Sequence, residues 1–569
     1  MVDRDDEGTA VVRAVADLRD AVAATDLPLE IPGRSEALEA RGGLLKQLDD
    51  YVLPRLKAID APLLAVVGGS TGAGKSTLVN SIVHAQISRQ GVIRPTTTRP
   101  VLVHHPDDTT WFADQRILPG LARVTGAESS EAQPNTVRLA RSTALPPGMA
   151  LLDAPDIDSV VASNRELAGQ LLAAADLWLF VTTAARYADA VPWDLLRTAS
   201  ERGTAVAIIL DRVPPDAIDE IRPHLVSMLR EQGLSTSPVF SIPESTLTPE
   251  GFLPPEAMSR LKGWLDALAN DSRARSIVVS QTLKGAIGSL AGRTQALAEA
   301  SHAQQSARAA LLAAVDEEFD RAREHVVAGM TDGTLLRGEV LARWQEFVGT
   351  GEFFKQVETT IGRWRDRVTA AVKGAPPPSK NLGEALQSGV AALVASHGES
   401  ALAETTRDWR RLAGGEALLA QAGLATPSPS FRDDVNNLVR DWQGEIFEMV
   451  RTEGGNRRTN ARVAAYGVNG IGLFLMLVTF AHTAGLSGAE IGIAGGTSVL
   501  AQRILEAVFG DQAVREMSAK ARKALLARVD ALYAGQRQRF VATLDRVGDV
   551  DVQAARLDAA ARDIAEVTR

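Results

Sequence analysis

The residues best suited to chemistry in this sequence form one continuous loop. It matches the pattern G-x-x-x-x-G-K-[ST], and its members are Gly69, Ser70, Thr71, Gly72, Ala73, Gly74, Lys75 and Ser76. In such a loop the glycines let consecutive backbone N–H groups converge on phosphate oxygens at a helix N-terminus, which here begins near Thr77. Lys75 would supply a positive charge to the β- and γ-phosphates, and the Ser76 hydroxyl would ligate Mg²⁺. The loop therefore predicts a site for a nucleoside triphosphate with magnesium.

Two further positions are suited to completing the magnesium site. Asp153 directly follows an apolar run at residues 150–152, so its carboxylate is expected at the end of a buried strand, where it would hold a magnesium-bound water. A polar loop at residues 94–100 precedes another apolar run at residues 101–103. Thr97 in this loop would complete the magnesium shell and sense the γ-phosphate.

A parallel sheet is needed to bring these residues together. Short apolar runs alternate with helical stretches, as is typical of buried parallel strands in a three-layer α/β domain. We expect this domain over residues 61–270, with strands at residues 63–67, 101–103, 137–139, 150–152, 177–181, 206–210 and 239–240.

The rest of the chain has the pattern of helices. Apolar positions recur at helical spacing within residues 1–60, and amphipathic helices of a bundle are predicted over residues 271–460 and again over residues 511–569. We expect the first helices to pack on a neck or stalk and the last segment to return along it. The sequence thus predicts an α/β domain followed by an elongated all-α bundle.

An apolar segment near the carboxyl terminus, residues 461–510, interrupts the amphipathic pattern. Residues 464–484 are almost wholly apolar and approach the roughly 20 residues that span a bilayer. A second run at residues 491–500 is half as long, so the two predict a membrane hairpin, either inserted or spanning. Glycines and arginines suited to helix packing and anionic headgroups accompany it: Gly488, Gly492, Gly496, Arg451, Arg457, Arg458 and Arg462. A buried helical pair in a soluble core is the alternative.

Composition excludes several classes of function. The chain of 569 residues contains 61 Lys and Arg against 70 Asp and Glu, a net charge of -9, so no nucleic-acid partner is expected. It contains no Cys, which excludes disulfides and thiolate chemistry. The amino terminus lacks the pattern of a secretory signal, so we expect the protein on the cytoplasmic side of the cell membrane.

The phosphate loop, the sequence Thr-Thr-Arg-Pro at residues 97–100 and Asp-x-Pro at residues 153–155 together resemble the signature elements of bacterial dynamin-like GTPases. This resemblance implies a GTPase domain with Mg²⁺ as cofactor and GTP as substrate, a helical stalk with a membrane paddle, and homodimers or larger homo-oligomers formed through the GTPase heads. It also implies that Thr97 is the switch threonine, that Asp153 opens the second switch and that anionic lipids are the partner.

The sequence departs from the family pattern at three places. Thr71 stands where the family has a catalytic Gln, and we assign catalytic roles to Lys75, Thr71 and Thr97. Asp156 replaces the Gly of Asp-x-Pro-Gly, which removes a permissive backbone position.

The third departure concerns the base. Asp211 and Arg212 occupy the place of Asn-Lys in the guanine-reading element, but Pro214 stands where its Asp should be and cannot accept the base N–H groups. Either another group such as Asp216 reads the base or selectivity is weak, so ATP stays open as a substrate. Ser241 is expected beside the base.

Two functions fit these residues. The first is a dynamin-like GTPase that couples GTP hydrolysis to membrane binding or remodelling. The second is a membrane-anchored GTPase switch that binds partners and hydrolyses slowly without remodelling lipid. An ABC-type ATPase is disfavoured, because Ala154 follows Asp153 where that class has a catalytic Glu and the short match at residues 486–490 lies far from the loop.

Overall fold

The computed structural model describes residues 3–88, 99–125, 135–158, 162–331, 335, 339–340, 342–343, 378–453, 468–481, 502, 505–506, 508–548 and 550–568. The chain divides into two compact units. The first contains Met1–Leu27, Gly33–Ala303 and Val550–Arg569, and the second contains Pro28–Pro32 and Gln304–Asp549.

A twisted sheet forms the centre of the first unit. In the described part of the chain its strands are β1 (Leu63–Gly69), β2 (Val101–His104), β3 (Ala122–Thr125), β4 (Thr136–Arg141), β5 (Met149–Asp153), β6 (Leu177–Thr183), β7 (Ala205–Val213) and β8 (Val239–Pro243). They lie in the order β3-β4-β2-β5-β1-β6-β7-β8. Neighbouring strands are parallel except β2 and β5, which are antiparallel. The predicted mostly parallel sheet is confirmed, and β3 is an additional strand at its edge.

Helices cover both faces of this sheet. Among the described residues before 271 the helices are α1 (Asp3–Ala24), α2 (Arg34–Gln47), α3 (Leu53–Lys57), α4 (Lys75–Val83), α5 (Thr109–Ala113), α6 (Ala162–Ala173), α7 (Ala190–Glu201), α8 (Ile218–Glu231) and α9 (Pro255–Asn270). Residues of α4 to α9 belong to the two cores on the faces of the sheet, and residues of α1 and α2 belong to a separate core. A five-residue π-helix, Leu48–Val52, joins α2 to α3, and a 3₁₀ turn, Pro106–Asp108, precedes α5.

Alternation along β1 explains the three layers. Leu64 and Val66 belong to a core that includes α6, α7 and α8, whereas Leu63, Ala65 and Val67 belong to a core that includes α4 and α9. Successive side chains of a strand point to opposite faces of the sheet. An apolar residue at every position therefore buries both faces, as the continuous run predicted.

The second unit is a helical bundle. Helix α10 (Ser272–Thr331) has residues in both units. Among the described residues, the other helices of the second unit are α11 (Pro378–Arg411), α12 (Gly415–Ala422), α13 (Phe431–Glu453), α14 (Val468–Ala481) and α15 (Asp511–Asp545). The last helix, α16 (Val550–Val567), belongs to the first unit. One large apolar core, including Trp409, Trp442 and Phe540, holds the bundle together. The predicted helical region after the sheet is thus confirmed.

Helix α14 contains the described part of the apolar segment 464–484. Residues 471–480 are all buried, and the apolar ones among them belong to the core of the bundle with residues of α11, α13 and α15. No helix found among the described residues is both long enough and apolar enough to cross a bilayer. The run at residues 491–500 lies outside the described residues.

Candidate nucleotide site

The predicted phosphate loop lies between β1 and α4. Gly74 caps the N-terminus of α4 with φ 93°, in the left-handed region that favours glycine. A Cβ atom at this position would lie 2.4 Å from Oδ2 of Asp211, so only a glycine fits. Thr77 lies in the first turn of α4, and the loop and the helix N-terminus follow the order that the sequence predicted.

Lys75 is held inside this loop. Its ammonium donates hydrogen bonds to the carbonyl oxygens of Gly69 at 2.9 Å and Ser70 at 3.0 Å, and it forms an ion pair with Oδ1 of Asp156. The Lys75 and Asp156 side chains are only 5% and 13% exposed. A buried ammonium needs an anionic partner, and Asp156 provides one in this structure.

Asp153, the predicted second residue of the magnesium site, lies next to Ser76. Register in the sheet pairs it with Val67 of β1, and its Oδ2 accepts a hydrogen bond of 2.8 Å from the Ser76 hydroxyl. Burial raises the pKa of the Asp153 carboxyl, an effect that the nearby hydroxyls of Ser88 and Ser76 and the Lys75 ammonium oppose.

The two oxygens of Asp153 and the Ser76 hydroxyl fit a magnesium site. Oδ1 of Asp153 is buried and makes no hydrogen bond of good geometry to a described residue. Buried carboxylate oxygens without a partner are uncommon unless an ion or water satisfies them. Oxygen ligands of this kind, one hydroxyl and one carboxylate that acts through water, are those that Mg²⁺ prefers.

Thr71 forms hydrogen bonds with two residues that were not predicted from the sequence. Its backbone N–H and its hydroxyl donate to Oδ1 of Asp158 at 2.6 and 2.7 Å. The Arg186 guanidinium donates to the Thr71 carbonyl oxygen at 2.9 Å, to Asp158 at 2.9 Å and to Asp189 at 2.7 Å. Burial opposes ionisation of Asp158, but the hydrogen bonds from Thr71 and the Arg186 cation lower its pKa below the ordinary value.

Strand order explains why Asp158 and Arg186 meet at this loop. Asp158 follows β5, Arg186 follows β6, and these are the two neighbours of β1 in the sheet. Loops at the carboxyl ends of neighbouring parallel strands converge at one edge of a sheet. The available signal was a polar residue six and five positions, respectively, beyond the predicted strand ends at residues 152 and 181.

The predicted base-reading residues lie at a bulge in β7. The pairing of β7 with β8 shifts between Leu210 and Val213, and Arg212 has φ 55°. Burial raises the pKa of Asp211 to about 6, although the Arg212 backbone N–H and guanidinium oppose this change. Oδ1 of Asp211 is buried without a hydrogen bond from a described residue, and Oδ2 approaches Gly74. Asp211 is therefore next to the phosphate loop, while half of the Arg212 side chain is exposed.

The remaining predicted site residues differ in where they lie. Ser241 lies on β8, and its hydroxyl is buried without a hydrogen bond to the described residues. Thr97 lies outside the described residues. Asp216 is exposed.

Strand β1, the loop, α4 and an acidic residue at the end of β5 define a P-loop nucleoside triphosphatase. Residues 64–212 match a family model described as the dynamin family. The chain therefore carries a dynamin-family domain over these residues and is a GTP-hydrolysing enzyme, as its sequence predicted.

Solved structures give weaker likenesses. One chain belongs to a structure described as an oligomerised bacterial dynamin pair that provides a mechanism for the long-range sensing and tethering of membranes; it is 10% identical with a TM-score of 0.42, and the match covers 100% of this chain and 95% of that one. The bacterial dynamin GTPase LeoA from ETEC is 10% identical with a TM-score of 0.25, covering 99% and 98%. Toc33 from Arabidopsis thaliana, in complex with GDP and Mg²⁺, is 15% identical with a TM-score of 0.24, covering 42% and 93%.

A comparison of the sequence with curated proteins finds no match. The assignment therefore rests on residues 64–212 and on the geometry of their site.

Proposed function

We propose that this protein binds GTP and Mg²⁺ at the loop of residues 69–76 and couples GTP hydrolysis to the binding or remodelling of a membrane at its cytoplasmic face. The pairing of Ser76 with a buried Asp153, beside a buried Lys75, is the observation that carries the nucleotide half of this proposal. Residues 69–77 would contact the phosphates, and Asp211, Arg212 and Ser241 would lie beside the base.

Hydrolysis replaces one bond to the γ-phosphorus with another. A water oxygen forms a bond to phosphorus as the bond to the β–γ bridging oxygen breaks; the electron pair of that bond goes to GDP, and a water proton goes to the released phosphate. Lys75 stabilises the charge that develops on the β- and γ-oxygens. Ser76 and Asp153 would hold Mg²⁺, with Thr97 as a further ligand, and the ion would supply positive charge that stabilises the phosphate oxygens.

The membrane half rests on the apolar segment of residues 461–510. The described part, α14, packs all round against apolar side chains in the bundle. Lipid tails are as apolar as those side chains, so the transfer of such a helix from the bundle to a bilayer changes its hydrophobic free energy little. We propose that this segment contacts anionic lipids, aided by Arg457 and Arg458, and that the GTPase heads associate between copies of the chain.

The nucleotide half is tested by turnover of GTP and ATP by the wild type and by Lys75→Ala. We expect GTP to be preferred and the variant to lose at least about a hundredfold in rate, because a transition-state charge partner is removed. Lys262→Ala, which removes a partly exposed lysine that pairs with Asp266 on α9, is the matched control. Unchanged turnover in Lys75→Ala would show that this loop is not the site.

The membrane half is tested by vesicle flotation with neutral vesicles and with vesicles containing an anionic phospholipid. Stronger binding to the anionic vesicles is expected, and Arg457→Glu with Arg458→Glu should weaken it. The control replaces Arg556 and Arg562, two exposed arginines on α16, in the same way. Absence of flotation with every vesicle would contradict the membrane half and leave the nucleotide half intact.

A second candidate function is a membrane-anchored switch that hydrolyses GTP slowly and does not remodel lipid. It is favoured by the engagement of Thr71, whose hydroxyl is bonded to Asp158 rather than open to a water. Electron microscopy of vesicles with GTP separates the two functions. Tubes or fused vesicles that require GTP support remodelling, and unchanged vesicles with slow turnover support the switch.

A further inference from the structure

Two carboxylates of one short segment engage the phosphate loop. Asp156 pairs with the Lys75 ammonium, and Asp158 accepts from the Thr71 backbone N–H and hydroxyl. Each of these three donors belongs to the phosphate loop, and each is a group that such loops present to an anion. The segment of residues 156–158 therefore binds the loop through the chemistry that the loop would use for a phosphate.

Both aspartate side chains are too buried to be solvated charges on the protein surface. The Asp156 and Asp158 side chains are each 13% exposed, and Lys75 is 5% exposed. Backbone contacts hold the segment against the loop: the N–H of Ile157, which lies between the two acids, donates to the Gly69 carbonyl oxygen at 3.4 Å, and that of Ala154 donates to Val67 at 3.1 Å.

The sequence pattern points to the same segment. Asp156 stands where the dynamin-like pattern has a glycine, which carries no charge. An aspartate there adds a negative charge beside the lysine that must serve the terminal phosphates. A triphosphate brings more negative charge to this place than a diphosphate. The aspartate should therefore weaken the binding of the triphosphate more than the binding of the diphosphate.

We infer that Asp156 and Asp158 form an internal anion that competes with the terminal phosphate for these donors of the loop and selects against the triphosphate until both are displaced. This inference rests on the nucleotide binding proposed above and adds a specificity-determining role for the second switch. Displacement of Asp158 also releases one hydrogen bond of Arg186, whose guanidinium otherwise links Thr71, Asp158 and Asp189.

The test compares affinities of the full chain for GDP and for a non-hydrolysable GTP analogue, both with excess Mg²⁺. Asp156→Asn keeps the size of the side chain and removes its charge. We expect the affinity for the GTP analogue to rise about tenfold relative to the affinity for GDP, because one like charge near the γ-phosphate is removed. Asp158→Asn should change the ratio in the same direction by a smaller factor, since Arg186 already neutralises that carboxylate.

Two further variants separate charge from folding. Asp156→Glu restores the charge and should return the affinity ratio towards the wild-type value. Asp194→Asn removes an exposed carboxylate on α7 that pairs with Arg197 and should leave the ratio unchanged. A purely structural role of Asp156 would lower the melting temperature of Asp156→Asn without altering the ratio, and that result would overturn the inference.

Failure of the inference is distinguishable from failure of the proposed function. If the wild type binds neither GDP nor the analogue, the nucleotide site itself is wrong. If the wild type binds both and the ratio in Asp156→Asn equals that of the wild type, the site is right and the internal anion does not select between ligands.

Discussion

The nucleotide site and helix α14 each bury a residue completely, for opposite physical reasons. Asp153 in the first unit and Ile471 in the second are both 0% exposed. Burial of Ile471 removes apolar surface from water and stabilises the bundle. Burial of Asp153 raises its pKa and costs free energy that only a bound cation or a hydrogen-bond partner offsets. Equal burial therefore marks a stabilising core in one unit and a site for ligands in the other.

The largest effect on stability is expected in the bundle. Trp442 is 1% exposed, and its Nε1 donates to the Ala521 carbonyl oxygen at 2.8 Å. Trp442→Ala leaves a cavity and removes this hydrogen bond, so we expect a loss of about 3–5 kcal/mol. Hydrogen exchange of α13 and α15 amides measures it without requiring the whole chain to unfold in two states.

A second variant separates the two contributions. Trp442→Phe keeps most of the volume and loses the N–H group, so about 1–2 kcal/mol is expected. Equal protection of α13 and α15 in Trp442→Ala and the wild type would mean that the apolar core does not stabilise the bundle in this way.

In the first unit, removal of the buried Asp153 charge should increase stability, unlike the Trp442 substitution, and should strongly reduce GTP turnover. Asp153→Asn removes a buried charge, so the nucleotide-free protein should become more stable. GTP turnover should fall roughly 10²–10³-fold, because the carboxylate that completes the magnesium site is lost.

Thermal unfolding without ligand and turnover with saturating Mg²⁺ check the two halves of this prediction. Asp114→Asn, which neutralises an exposed carboxylate that pairs with Arg116, should change neither quantity by much. A destabilised Asp153→Asn with normal turnover would refute the contrast between the two regions.

Sequence patterns predicted most strands of the first unit because these strands are short, apolar and separated by polar loops. The edge strand β3 was missed: Ala122–Thr125 is not apolar throughout, and its outer residues are exposed. Asp158 and Arg186 were missed because strand order, rather than spacing along the chain, brings them to Thr71. Helix α14 shows another limit, since hydropathy measures apolar character and a bundle core is as apolar as lipid.

Asp211 on β7 should make the stability of the first unit depend on pH. Burial raises this pKa to about 6 in the folded protein, against about 3.9 in an unfolded chain. The native state therefore binds more protons between these values, and its stability falls as the pH rises from about 4 to about 6 and then stays level. Asp211→Asn lacks this dependence, so its advantage over the wild type should grow to the order of 3 kcal/mol above pH 6.

Unfolding of the ligand-free protein from pH 4 to pH 8 measures this difference. Asp219→Asn, which changes an exposed residue of α8, is the control and should follow the wild type. A constant difference between Asp211→Asn and the wild type at every pH would show that Asp211 is ionised throughout, as a solvated carboxylate is.

The smallest effect is expected where α14 meets α13. A Cβ atom on Gly472 would lie 2.2 Å from Cδ1 of the Phe447 ring, so Gly472→Ala forces that ring to move. We expect a loss of about 1–3 kcal/mol from overpacking, partly offset by up to about 1 kcal/mol because alanine favours a helix more than glycine does. Hydrogen exchange of α14 amides measures the change.

The matched control is Gly444→Ala on α13, where a Cβ atom would meet nothing within 4 Å. Only the helix preference remains there, so this variant should gain about 0.5–1 kcal/mol. The pair also tests the membrane proposal: a looser α14 should bind anionic vesicles more strongly in Gly472→Ala than in Gly444→Ala, because less bundle contact opposes its transfer to lipid. Equal vesicle binding with reduced protection of α14 would mean that this helix stays in the bundle core while the protein is on the membrane.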